Sequence, residues 1–96
     1  MTDELKLEMV RQYLVSNELE RLLFILVDLN PIDVARILQR LDIKELRQLV
    51  VSLQSREAVK FFEKKGDKLK NLYDDVVGEL YAQRITKEMF AEDLVD

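Results

Sequence analysis

Apolar residues recur along this chain at three- and four-residue steps, and polar residues able to cap a helix interrupt them at short intervals. Thr2 is placed to open a helix over 3–15. Leu5, Met9 and Tyr13 form one stripe on it, with Leu7, Val10 and Leu14 beside them. Asn17, with Glu20 three residues on, predicts a boxed start for a helix over 18–29. Its stripe is Leu19, Leu22, Leu23 and Leu26; Phe24 and Val27 lie off it, available to the first helix or to a partner. Asn30 followed by Pro31 sets a cap ahead of a proline at the first helical position, where the missing N–H costs nothing, and that helix runs to 41. Asp42 with Glu45 opens the next, to 53. Ser55 caps another, which Gly66 ends by tolerating the left-handed conformation. Asp67 opens the longest helix, 68–84, where Leu69, Leu72, Tyr73, Val76, Val77, Leu80 and Tyr81 keep the amphipathic spacing throughout. Thr86 is expected to cap a short acidic tail helix over 86–96 containing Met89, Phe90 and Leu94. No stretch reads as a strand, so the expected fold class is all-α.

Two of these segments repeat one another. The run from Asp28 to Arg40 reappears from Ser52 to Lys64, an offset of 24 residues that also carries Leu22, Ile25, Leu26 and Val27 onto Leu46, Leu49, Val50 and Val51. A unit of two short helices cannot bury its own apolar face. Residues 18–65 are therefore expected to form a two-unit, right-handed helical stack, followed by the long helix and the tail, within a single domain over 1–96. Leu26, Leu38 and Leu49 are its expected core.

The stretch Asp28-Leu29-Asn30-Pro31-Ile32-Asp33-Val34-Ala35-Arg36-Ile37-Leu38, with Leu41-Asp42 after it, resembles the repeat in the cytosolic N-terminal domain of MgtE-type magnesium transporters. It is similar also to the repeats of FliG-type flagellar rotor proteins. The resemblance spans about 18–65. Ser55 stands where the second unit would favour proline, and nothing matches the downstream domains of a transporter or the torque-bearing helix of a rotor. For the fold, the resemblance implies stacked short helices. For function it implies either an acidic, magnesium-responsive domain or a module that stacks on copies and partners. The motif-matched acids are Asp28, Asp33 and Asp42. Asp33 and Asp42 also sit where caps and first-turn acids belong, and interaction with the helix dipole accounts for them. No metal ligands and no cofactor are therefore expected.

Composition narrows the chemistry further. The 96 residues contain neither Cys nor His, which removes disulfides, thiolate metal sites, the usual general base and every Ser–His or Cys–His nucleophile. No catalytic residue is assigned, and an enzyme is not expected. The first residues are acidic and lack the flank and apolar run of a signal peptide. The longest apolar run, Leu22 to Val27, falls far short of the ~20 residues that span a bilayer, so a cytoplasmic location without membrane insertion is expected.

Net charge is −4, unevenly spread: residues 1–20 carry −3, residues 56–72 carry +3 and residues 86–96 carry −3. Such an arrangement can steer an acidic partner to the basic middle or pair two copies, although solvated helix faces carry charge in the same way. A helix-turn-helix reading would use 31–41 and 43–53 with Lys44, Arg47 and Gln48 at base edges; the acidic balance and the absence of Gly from the turn argue against nucleic acid. What fits best is a regulatory or adaptor module that binds another protein or itself as a homodimer. Phe61, Lys64 and Lys65 are the candidate docking residues at the open end of the stack, with Met89 and Phe90 of the tail as the second site. Phe61 has a rival role as core, since Phe61 and Phe62 are adjacent and both large.

Overall fold

The computed structural model describes the backbone over residues 2–95 and the side chains over residues 2–83. Among the described residues the chain is entirely helical: α1 (Asp3–Ser16), α2 (Leu19–Val27), α3 (Pro31–Arg40), α4 (Ile43–Leu53), α5 (Arg56–Phe62) and α6 (Lys68–Val95). The caps explain most of these boundaries. Thr2 accepts from the Leu5 N–H at 3.2 Å, Asn30 from Asp33 at 2.9 Å and Ser55 from Ala58 at 3.2 Å, each satisfying an amide that has no partner inside its own helix. Asp42 and Glu45 form a reciprocal capping box at 2.7 and 3.0 Å.

Three boundaries differ from the sequence reading. Asn17 does not cap α2. It ends α1 in the left-handed conformation (φ 59°, ψ 35°), its N–H donates to Leu14 and the Glu18 N–H donates to Tyr13, the paired bonds of a Schellman motif. Glu18 takes the N-cap position of α2 without a side-chain bond. Asparagine serves either role, and here the short turn between α1 and α2 requires a residue that tolerates positive φ. The separate tail helix is likewise absent, because α6 runs as one element from Lys68 to Val95 through Thr86. A cap acts only where the chain leaves the helix, and no Gly or Pro stands between Tyr81 and Phe90 to make it leave. Gly66 adopts positive φ (61°), but it does not end α5: that helix stops at Phe62 with Glu63 as a right-handed C-cap, and Gly66 turns the chain between α5 and α6.

The repeat relates α2 to α4 and α3 to α5, and these pairs are not among the main contacts. The main contacts are instead α4 with α6, α1 with α2, α2 with α5 and α1 with α3, and α6 also touches α3 and α5. The repeat loses phase in three dimensions. The cap-to-cap spacing is 24 residues from Glu18 to Asp42 but 25 from Asn30 to Ser55, and helices of 9 and 10 residues correspond to helices of 11 and 7. Each one-residue slip turns a helix face by about 100°. Val27 is buried, while Val51, its counterpart, is 68% exposed, because α2 packs against both α1 and α5 whereas α4 packs mainly against α6.

One apolar cluster joins all six helices. Leu7, Val10 and Leu14 bury the inner stripe of α1, while Leu5 on the other stripe is largely exposed. Leu22, Leu23, Leu38, Leu41, Leu46, Leu49 and Val76 have almost no accessible surface. The expected core residues Leu26, Leu38 and Leu49 all lie within it.

Polar stitching fixes how the helices are arranged. Asp3 and Glu4 at the start of α1 pair with Arg36 (3.5 Å) and Arg40 (3.0 Å) on α3. Arg11 pairs with Glu45 at 3.0 Å and donates to the Arg40 carbonyl at 2.7 Å, in the last turn of α3. Gln48 donates to the Leu14 carbonyl at the end of α1, and Gln83 to the carbonyl of Leu41. Side chains from distant helices thus occupy carbonyls that the helix ends leave open.

Candidate docking cleft

The α2–α3 turn, Asp28-Leu29-Asn30, faces the start of α6 across an open cleft of about 380 Å³. Helix formation on both sides creates it. α2 must stop before Pro31, α3 starts under the Asn30 cap, and α6 begins only after Gly66 has reversed the chain. Leu26, Val27, Val34, Phe62 and Leu72 line it from the core with little accessible surface, and Leu29 and Pro31 of the turn add more accessible apolar surface. Asp28, Asn30, Lys68, Asn71 and Asp75 form a rim of mixed sign. An apolar floor with a polar rim suits a docked side chain or a short helix.

The residues singled out from the sequence divide around this cleft. Phe61 is half-buried, packed against the core, with its ring edge-on to Phe62 at 5.4 Å between centroids. It therefore offers a partner less area than an exposed phenylalanine would. Lys64 and Lys65 are exposed on the α5–α6 turn, between the cleft residues Phe62 and Lys68. That segment is not the open end of a stack, because α6 packs back over α3, α4 and α5. The side chains of Met89 and Phe90 lie outside the described residues. Phe24 is 67% exposed and Val27 is buried, so these two off-stripe residues of α2 separate.

The other chemistries can be placed as well. Among the described residues no three acidic side chains converge. Asp42 is engaged in its capping box, Asp33 lies in the first turn of α3 at 4.0 Å from Arg36, and Asp28 ends α2 at the cleft rim. Gln48, a base-reading candidate, is committed to the end of α1, whereas Lys44 and Arg47 are exposed. No charged or polar side chain among the described residues is buried. Within the same residues no helix is long and apolar enough to cross a membrane.

Sequence reasoning did not find the cleft, since it joins residues more than thirty positions apart. It also missed the α1–α3 ion pairs, for which a signal exists: Asp3 and Glu4 are adjacent acids, and Arg36 and Arg40 share one helix face at four-residue spacing. No protein family's sequence profile matches the chain, and no curated protein or solved structure is significantly similar to it.

Proposed function

We propose that this chain is a non-enzymatic protein-interaction module that docks its partner at the cleft between the α2–α3 turn and α6. The observation carrying this reading is the coincidence of two features at one place. The cleft opens over Phe62, Leu72 and Val34 with Lys68 on its rim, and the exposed Lys64 and Lys65 precede Lys68 on the α5–α6 turn. Apolar contact there supplies binding energy, and the lysines steer an acidic, partly apolar segment toward it. The lack of Cys and His supports binding over catalysis.

Charge reversal tests the reading cleanly. Lys64 and Lys65 are exposed, so Lys64→Glu with Lys65→Glu is expected to leave the melting temperature nearly unchanged and to weaken capture of co-purifying protein by about tenfold or more. Lys44→Glu with Arg47→Glu, on the exposed side of α4, is expected to leave capture intact. Equal loss in both pairs would reduce the effect to net charge. Phe61→Ser is expected to weaken both capture and stability, because Phe61 contacts Phe62 and the core. Affinity capture from cells followed by mass spectrometry reads all three variants in parallel.

A further inference from the structure

The charges on α6 oppose its own dipole. Helices α1 to α5 each carry acid in the first turn, and α6 carries none. It begins instead with Lys68 and Lys70, preceded by Lys64 and Lys65, with Asp67 the one acid among them. Its last turns hold Glu88, Glu92 and Asp93, and no base lies in the final turn. Acids at a helix N-terminus and bases at its C-terminus are the stabilising arrangement, so α6 is reversed at both ends.

Among the described residues the basic charges at the start of α6 find no ion-pair partner. The acidic start of α1 finds Arg36 and Arg40 on α3. By contrast, none of Lys64, Lys65, Lys68 and Lys70 has an ion-pair partner among the described residues. The acids that would match them sit at the far end of the same helix. Twenty-four residues at 1.5 Å each separate Lys68 from Glu92 by roughly 36 Å, beyond any side-chain reach.

We infer that the cleft is occupied by the C-terminal part of α6 from a second copy of this chain, in an antiparallel, two-fold symmetric dimer. The inference rests on the docking cleft proposed above and names its occupant. The occupying segment, 86–96, has net charge −3 and meets residues 56–72, with net charge +3. A two-fold axis crossing α6 brings the acidic end of each helix to the basic start of the other, so both clefts fill at once and the assembly closes. Antiparallel helices also align their dipoles favourably.

Three variants of the whole chain test this by sedimentation velocity over a concentration series at low and high salt. The first carries Lys64→Glu, Lys65→Glu and Lys68→Glu; the second carries Glu88→Lys, Glu92→Lys and Asp93→Lys; the third carries all six changes. The native chain is expected to be a dimer that weakens as salt rises. Each triple variant is expected to be monomeric with a melting temperature no lower than native, because each brings α6 into accord with its dipole. The six-change chain keeps the native net charge and is expected to dimerise again. A native chain that stays monomeric at every concentration would overturn the inference. So would triple variants that still dimerise, or a six-change chain that does not. If dimerisation fails these tests while capture of another protein still depends on Lys64 and Lys65, the cleft is a docking site for that protein and the proposed function stands without the dimer.

Discussion

Leu38→Ala is expected to lower the unfolding free energy by about 2–5 kcal/mol, and Leu49→Ala by a similar amount. Leu38 is 2% exposed and Leu49 is fully buried, and both belong to the one cluster that links every helix. A domain of this size has about 5–15 kcal/mol in hand, so either change removes a large share of it. Val51→Ala is the informative control. The sequence repeat equates Val51 with Val27, yet Val51 faces solvent, and its truncation is expected to cost almost nothing while Val27→Ala is clearly destabilising. Urea denaturation of the four variants measures this directly. Equal costs at Val27 and Val51 would mean that the two positions are covered alike.

Val76→Asp is expected to have the largest effect of any single change. Val76 has no accessible surface and lies in α6, the helix that closes the core against α4, α3 and α5. No charged or polar side chain among the described residues is buried, so a carboxylate placed there would find no partner. Leaving it unpaired costs several kcal/mol, on the order of the whole stability. The expected result is loss of cooperative unfolding and of most helical circular dichroism at physiological temperature. Tyr81→Asp, five residues further along α6 where the side chain is 60% exposed, is expected to leave both nearly intact.

The local parts of this fold were legible in the sequence, because caps and stripes are local physics. Thr2, Asn30, Asp42 and Ser55 each cap the helix they were expected to cap, and Leu19, Leu22, Leu23 and Leu26 are all buried. Asn17 failed as a cap because the same side chain serves a helix start and a left-handed helix end, and only the next turn decides between them. Thr86 failed because a cap residue inside an uninterrupted run of helix formers has no turn to cap. How the repeated helices pack is a separate question from where they start and stop. Sequence similarity at an offset of 24 does not fix which faces of a helix its neighbours cover: Val27 is buried on α2, held between α1 and α5, while Val51 faces solvent on α4.

The candidate site was legible only as a neighbourhood. The basic segment at Lys64 and Lys65 was visible as charge, and the Asp28-Leu29-Asn30-Pro31 turn as a motif. Their meeting at a cleft depends on α6 folding back across the body, which no local pattern encodes. Phe61 was open between core and surface, and it lies between the two: half-buried, held by Phe62, beside the cleft rather than within it.

Site-specific photo-crosslinking tests the docking account most directly. A photoreactive phenylalanine analogue replaces Asn71, an exposed residue lining the cleft, or Lys44, an exposed residue at the start of α4, and each chain is irradiated in cells. The expected result is a discrete covalent adduct from position 71 and none from position 44, its mass identifying a second copy of the chain or another protein. Adducts from position 44 alone, or none from position 71 while the chain is demonstrably bound to a partner, would contradict it.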